Sequence, residues 1–407
     1  MAQVVVPDII DLPDLARVEA IHVRVPFRRP LLDATGEFTH RRSWLLRLVD
    51  EDGSEGLGEA TLSPVAGDVT AGSLATLIRN IVPALAAGRM PLWADLAAEG
   101  EPGRAAMAGV DGAIGALLAA RAGPAAPSGP EAAVPVSALI GFAGPDAGAD
   151  AAAQAVELGF ETLKLRVGHE RTTDQLVDRL RAIRTAIGPE PRLRIDAAGA
   201  WDLETAAERI EAVRPFRIEY VEQPLAAWDL TGHAALRQRV RVPIALDESI
   251  DSEGSARAAL AEGAADVIVV KPARVGGSAA TMRIVEAASA VGASAVLGTF
   301  FETGVGIASV LRIAASTRDA QRGGTPGPGR PGNRGGERDD PGRPAGRAVE
   351  EAGFEPAHGL ATAGILVHDL LVSPLPIEKG RMAVPSVVKL DEPEVDRYTL
   401  ERFETRR

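Results

Sequence analysis

Three acids stand at matched places along the chain: Asp196 in Arg-Ile-Asp, Glu222 in Tyr-Val-Glu-Gln-Pro and Asp247 in Ala-Leu-Asp-Glu-Ser. The intervals are 26 and 25 residues, and each acid ends a short apolar run. A single acid in such a place serves as a helix cap or an ion-pair partner. Three of them at the ends of successive strands would converge, repel one another and demand a cation. Carboxylates without Cys or His select Mg²⁺, or Mn²⁺, over zinc. Cationic residues flank the acids. Lys164 and Arg166 alternate on the run before Asp196, so a period of two puts both on one face. Lys271 ends the run after Asp247. A lysine near a divalent metal and other cations is pushed toward its neutral form and can act as a base near neutral pH. The metal would bind a substrate carboxylate and stabilise the enediolate left when its α-proton departs. The expected partner is therefore a small-molecule carboxylate.

The elements that must position these residues form a repeat. Apolar runs at Val134–Ile140, Thr162–Val167, Leu193–Asp196, Ile218–Glu222, Ile244–Asp247, Val267–Lys271 and Ala293–Gly298 alternate with helical stretches. The period is about 25–30 residues, and seven or eight such βα units predict a closed parallel barrel with the strand C-termini at one mouth. An open doubly wound sheet is the alternative, but no Gly-x-Gly-x-x-Gly follows a strand. Upstream, Ala20–Arg24, Trp44–Val49 and Gly56–Ala60 read as a small antiparallel sheet with a turn at Asp52-Gly53, and Leu74–Val82 and Ala105–Ala120 as helices. The expected organisation is an α+β capping domain over residues 1–125, a TIM-type β/α barrel over 126–370, and a C-terminal segment, 371–407, returning to the capping domain. Residues 318–347 are Gly, Pro, Arg and acid with almost no apolar side chain, and read as an inert disordered insertion before the eighth strand. Ala122–Ala133 reads as a linker.

Composition closes off other classes. The 407 residues carry 44 Lys+Arg against 56 Asp+Glu, a formal charge of −12, so nucleic acid and anionic membrane are poor partners. There is no cysteine, which excludes disulfides, thiolate metal sites and a Cys nucleophile and suits a reducing cytoplasm. The first twelve residues have no basic residue and no long apolar core, unlike a secretory signal. No segment approaches about 20 uninterrupted apolar residues, as a membrane span would. The residues do not specify an oligomeric state.

The series Lys164-Leu-Arg166, Asp196, Glu222-Gln-Pro, Asp247-Glu-Ser and Lys271-Pro resembles the enolase superfamily, in its muconate-lactonizing subgroup. Gly56-Leu-Gly-Glu59-Ala resembles that superfamily's capping domain. Val269-Val-Lys271-Pro-Ala-Arg-Val-Gly-Gly277, Phe301-Glu302-Thr-Gly-Val-Gly-Ile, His358-Gly-Leu-Ala-Thr and the Leu371–Pro385 tail are similar to o-succinylbenzoate synthases. The resemblance covers nearly the whole chain outside the 318–347 insertion. It implies syn-dehydration of 2-succinyl-6-hydroxy-2,4-cyclohexadiene-1-carboxylate to 2-succinylbenzoate, a menaquinone-pathway step. It implies Mg²⁺ on Asp196, Glu222 and Asp247, and the Lys271 ammonium against the enediolate face. Thr299, Phe300, Phe301 and Glu302 would line the substrate pocket, with Glu302 either orienting a lysine or capping the next helix. The loops around Thr35-Gly36-Glu37 and Thr61-Leu-Ser-Pro64 would close over the succinyl arm.

The sequence departs from the family pattern at two places. The family's Lys-x-Lys base is Arg166 here, and arginine is essentially always protonated. Lys271 or Lys164 takes the base role, or Arg166 acts with a depressed pKa, or the protein is weak or repurposed. Ala198 stands where the family often has Asn. The implied rivals are N-succinylamino acid racemases and other epimerases, muconate cycloisomerases, and a non-catalytic metal-binding relative. Racemisation needs a competent base on each face, so Arg166 handicaps it more than it does a one-base dehydration. Glu248 and Ser249 read as supporting groups, His22, His40 and His169 as surface or core histidines, and Trp44 and Trp201 as packing anchors.

Overall fold

A computed structural model describes residues 14–33, 36–123, 133–141, 144–322 and 355–406. The first unit holds β1 (Leu15–Asp33), β2 (Gly36–Asp50), β3 (Glu55–Ala60), α1 (Asp68–Ala86), α2 (Trp93–Ala98) and α3 (Gly100–Arg121). The barrel unit runs through β4 (Val134–Pro135), β5 (Ala138–Ile140), α4 (Pro145–Glu157), β6 (Thr162–Arg166), α5 (Thr173–Ile187), β7 (Arg192–Asp196), α6 (Leu203–Val213), β8 (Ile218–Glu222) and α7 (Leu230–Arg239). It continues through β9 (Ile244–Leu246), α8 (Glu253–Ala261), β10 (Val267–Val270), α9 (Pro272–Val275), α10 (Ser278–Ala290), β11 (Ser294–Leu297) and α11 (Gly304–Arg322). After it come β12 (Ile377–Glu378), β13 (Arg381–Met382), α12 (Glu392–Tyr398) and β14 (Thr399–Arg406).

Strands β5 to β11 pair in sequence order, all parallel, as one seven-stranded sheet. Their apolar residues face both ways into buried clusters, as strands covered on both faces require. The edges are joined by His358-Gly359, which bridges in parallel to Gly298 on one side and Val136 on the other. Gly359 N donates to Leu297 O at 2.8 Å and Ser137 N to His358 O at 2.9 Å, so this short segment takes the eighth place in a TIM-type barrel. Side-chain caps fix the helix starts after successive strands: Thr172 for α5, Asp202 for α6, Asp229 for α7 and Ser252 for α8.

The capping sheet has the order β14-β1-β2-β3 and is antiparallel, so the C-terminal strand returns to the N-terminal one, from Arg17↔Arg406 to Val23↔Thr399. β1 and β2 run far beyond the short stretches expected at Ala20–Arg24 and Trp44–Val49. A register shift between Pro26 and Leu31 accommodates the prolines without ending the pairing. The expected run Val134–Ile140 is split: Pro135 offers no N–H, and β4 pairs with β13 rather than with the barrel. The expected insertion starts later than Arg318, because α11 continues to Arg322, with Arg318 donating to Ala133 O at 2.6 Å and pairing with Glu355 at 2.5 Å. Residues 323–347, most of the expected linker and Thr35 lie outside the described residues. α1 is long and apolar enough by composition to cross a membrane, but buries Leu74, Ile78, Ile81, Val82 and Leu85 against the capping sheet.

Alternation along β3 decides how the two units meet. Gly56 and Gly58 face α3 so closely that a Cβ at Gly58 would lie 2.0 Å from Gly109 O. Leu57 and Glu59 face the other way, toward the start of α11. Further seams are Phe27, bridged to Leu366, and Asp111 of α3, which accepts from Ser278 N and Ser278 Oγ, both at 2.8 Å, and so caps α10 across the interface.

Replacing Gly58 with Ala should destabilise the protein by about 3 kcal/mol, since backbone on both sides has to move. A parental denaturant midpoint would show that the strand and helix are not in such close contact. Asp111 gives a pH signature. Burial raises its carboxyl to about 6 despite the Ser278 hydrogen bonds. A carboxyl raised on folding contributes stability in acid that fades as pH climbs from its unfolded value to about 6. Asp111→Asn should therefore remove about 2 kcal/mol of the stability difference between pH 4 and pH 7. Denaturant unfolding at the two pH values measures this, and an unchanged difference would rule it out.

Candidate active site at the barrel mouth

Strand register builds the site. Arg166, Asp196 and Glu222 lie side by side at the ends of β6, β7 and β8. Asp247 follows β9 and Lys271 follows β10. All three acids are buried, at 2%, 1% and 2% exposure for Asp196, Glu222 and Asp247. Each faces cations. Lys164 Nζ lies 2.5 Å from Glu222 Oε1 and 3.0 Å from Asp196 Oδ2, and Arg166 Nη1 lies 2.8 Å from the same Asp196 oxygen. Lys271 Nζ is 2.5 Å from Asp247 Oδ2, and Arg274 Nη1 donates to Asp247 Oδ1 at 2.9 Å and to its carbonyl at 2.8 Å. The structure thus brings together all six residues expected on chemical grounds.

The electrostatics follow from this pairing. Burial alone would lower the Lys164 ammonium, but Asp196, Glu222 and Asp247 outweigh it and hold the group well above its usual range. Burial would likewise lower Arg166, and Asp196, Glu248 and Glu222 raise it. With only the protein's own groups in the site, Arg166 and Lys164 are both held charged. Burial would raise Asp196 and Asp247; Lys164 and Arg166 hold the first below the ordinary range, and Lys271, Arg274 and Lys164 the second. Burial pushes the Glu222 carboxyl up, and its Oε2 is buried without a hydrogen-bond partner.

Among the described residues, no three acids or imidazoles already stand as a group that could hold an ion. The Lys164 ammonium bridges Asp196 and Glu222, and Asp247 is bound to Lys271 and Arg274. The donor set still fits a hard divalent cation: three carboxylates from neighbouring strand ends, no sulfur or imidazole, and a Glu222 oxygen free to ligate. A bound ion would take over the charge balance that Lys164 now supplies.

The four residues expected to line the pocket separate. The Phe300 ring lies 5.0 Å from Lys271 Nζ and 4.7 Å from the Arg274 guanidinium carbon. Phe301 meets Phe27 of the capping unit edge-on at 6.1 Å. Thr299 Oγ1 turns to Thr362 Oγ1 at 3.0 Å. Glu302 neither orients a lysine nor caps α11: it accepts from Phe300 N at 2.5 Å, and burial beside Glu59 raises it to about 7. Of the loop after Glu59, Thr61 Oγ1 donates to Ser43 Oγ at 2.8 Å and Leu62 O accepts from Arg41.

Three contributors were not singled out by type or spacing for the roles they take. Arg274 lies three residues after Lys271 on α9, a spacing that returns it to the same side. Gln223, fully buried, has its Oε1 accept from Asp247 N at 2.9 Å and Ser249 N at 3.2 Å while its Nε2 donates to Ser249 Oγ at 2.8 Å, locking β8 to the loop after β9. Glu59 acts across the domain interface. Non-glycine residues with positive φ gather at the mouth: Ala198 at 46°, Gln223 at 39° and Phe301 at 62°. Ala198 N donates to Asp196 Oδ1 at 3.0 Å, so this strained turn also orients an acid. The remaining expectations are plain: Ser249 supports Gln223, His22 stacks on Trp44 at 4.6 Å, and Trp201 packs beneath Arg209.

Comparison with known proteins agrees with this architecture. The family model for enolase C-terminal domain-like proteins matches residues 147–388, more than half of the chain. An o-succinylbenzoate synthase of Thermobifida fusca is 41% identical over 187 residues, 45% of this chain and 56% of that protein. An L-Ala-D/L-Glu epimerase of Clostridium acetobutylicum is 35% identical over 40% of this chain and 46% of its own length. An N-succinylamino acid racemase of Thermus thermophilus is 38% identical over 39% and 42%. The chain spans about half the length of these curated relatives. The crystal structure of muconate lactonizing enzyme from Pseudomonas fluorescens with muconolactone superposes with a TM-score of 0.74 at 22% identity, covering 95% of this chain and 100% of that one, and shows the shared fold. The chain belongs to the enolase superfamily, in its muconate-lactonizing subgroup.

Proposed function

We propose that the protein is an o-succinylbenzoate synthase, dehydrating 2-succinyl-6-hydroxy-2,4-cyclohexadiene-1-carboxylate to 2-succinylbenzoate. The observation that carries this reading is the asymmetry of the mouth: a permanent cation, Arg166, on one side and an ammonium, Lys271, on the other. Aromatising dehydration needs a base on one side only. The o-succinylbenzoate synthase relative at 41% identity supports the same reading.

Asp196, Glu222 and Asp247 would hold Mg²⁺, with Mn²⁺ as an alternative. When bound, the ion supplies charge stabilisation for the substrate carboxylate as its α-proton is removed. Lys164 and Arg166 stay cationic and orient the carboxylate. Lys271 Nζ, after its ammonium gives up a proton to solvent, is the amine left to take the α-proton and return it to the departing hydroxyl. Phe300 lies with its ring 5.0 Å from that nitrogen, and Gln223 keeps the Asp247 turn in place.

A second reading, N-succinylamino acid racemisation, is favoured by the racemase relative at 38% identity. It needs a second base opposite Lys271. Arg166 is ion-paired there, and Lys164 is bound to two carboxylates.

Purified protein with Mg²⁺ should turn over the cyclohexadiene carboxylate, followed by absorbance of the aromatic product, and lose this with a chelator. Lys271→Ala should cut turnover by about 10³-fold, with calorimetric Mg²⁺ binding retained. Arg166→Lys should remain active. Persistent turnover in Lys271→Ala would overturn the assignment of the base. In heavy water with one enantiomer of an N-succinylamino acid, a one-base site exchanges the α-proton without inversion. A racemic product would instead establish two working bases and the second reading.

A further inference from the structure

The start of α11 is capped twice. Thr303 Oγ1 accepts from Val305 N at 3.3 Å within the turn, while Glu302, the nearest acid, is committed to Phe300 N. A second cap comes from the other unit. Glu59 Oε2 accepts from Thr303 Oγ1 at 2.7 Å, Gly306 N at 3.0 Å and Thr303 N at 3.1 Å. Its Oε1 accepts from Thr61 Oγ1 at 3.2 Å. The first N–H groups of a helix have no internal acceptors, and a carboxylate there also meets the positive end of the helix dipole. The approach is close: a Cβ on Gly306 would lie 2.9 Å from Glu59 Oε2 and 2.6 Å from Glu302 Cβ. Glu59 is 4% exposed, so the contact is shielded from solvent.

What the cap holds is a strained turn. Phe301 sits at φ 62°, a conformation that costs a bulky residue about 1–3 kcal/mol and persists only where its surroundings determine it. Three restraints bracket it: Glu302 on Phe300 N, Glu59 on Thr303 N, and Phe27 against the Phe301 ring. The ring presented by this turn is Phe300, whose face lies 5.0 Å from Lys271 Nζ.

We infer that Glu59 is a positioning residue for the barrel-mouth site: by capping α11 from the opposite unit it fixes the Phe300–Phe301 turn, and through the Phe300 ring it places Lys271. The inference rests on Lys271 being the reacting group in the proposed function. It makes the seating of the capping unit a condition for the geometry of a barrel-mouth lysine.

The test combines turnover with a readout that needs no turnover. The chain has four lysines, of which Lys389 is exposed and serves as an internal reference. Brief acetic anhydride labelling, read by mass spectrometry, gives the Lys271 rate relative to Lys389. In Glu59→Ala, kcat should fall about tenfold or more with KM within about threefold, and the relative labelling of Lys271 should change about threefold. Glu59→Gln, which keeps one acceptor oxygen, should fall between Glu59→Ala and the parent. A role in stability alone would lower the unfolding midpoint and leave both kcat and labelling parental; that result in folded Glu59→Ala overturns the inference. Should Glu59→Ala not fold, Thr303→Val, which at nearly constant shape deletes the donor to Glu59 and the acceptor for Val305 N, should shift both readouts the same way by about threefold. Parental values in it would overturn the inference equally. Should the parent turn over neither the cyclohexadiene carboxylate nor an N-succinylamino acid, the functional reading fails, and the labelling ratio alone decides whether Glu59 positions Lys271.

Discussion

Carboxylates buried side by side at the ends of adjacent strands have to be neutralised, and the architecture of this protein follows from that constraint. β6, β7 and β8 pair without offset at their C-terminal ends, which sets Arg166 against Asp196 and places Asp196 beside the like charge of Glu222, with Lys164 bridging the two acids. Lys271 and Arg274 then match Asp247 from the next strand and its following turn. Removing one partner from such a cluster leaves a buried charge without compensation, which costs far more than the pair contributes when intact. The positive φ angles at Ala198 and Gln223 belong to the same problem. They turn the backbone so that its amides and a buried side chain amide orient Asp196 and Asp247.

The cations are not equivalent, and that difference sets the chemistry apart from the fold. A guanidinium stays charged throughout any reaction near neutral pH, whereas an ammonium can give up its proton when its surroundings change. With arginine at 166 and lysine at 271, the proposed reaction assigns binding to one side of the mouth and proton transfer to the other. Relatives in this subgroup include a synthase, epimerases and racemases on one architecture, as expected where function resides in a few side chains on a shared barrel.

Most of the barrel was legible in the sequence because each strand carried its own local signal. Leu193–Asp196, Ile218–Glu222 and Val267–Lys271 are apolar runs ending in a charged residue, Thr162–Val167 carries Lys164 and Arg166 within it, and the structure ends its strands within a residue of those points. Lys164, Asp196, Glu222, Asp247 and Lys271 could be gathered from the repeat alone. What remained hidden depends on partners distant in sequence. Glu302 reads equally well as a helix cap until Glu59, more than two hundred residues upstream, is seen to hold that position. Gln223 follows an acid in a motif but shows its purpose only when Asp247 N points at it. β1 runs on through Pro26 and Pro30, residues that ordinarily interrupt a strand, and the register shift that absorbs them has no local sequence mark.

The two cross-unit caps also bear on how the proposed substrate carboxylate would be held at this mouth. Helix N-termini following barrel strands are ready sites for a substrate carboxylate, through exposed amides and the dipole. Here α10 and α11 have those amides occupied by Asp111 and Glu59 from the capping unit. The positive helix ends serve to seat one unit on the other. In the proposed reaction the substrate carboxylate would then fall to Lys164, Arg166 and the cation on the three acids, so seating the cap and binding the substrate would draw on separate sets of positive groups.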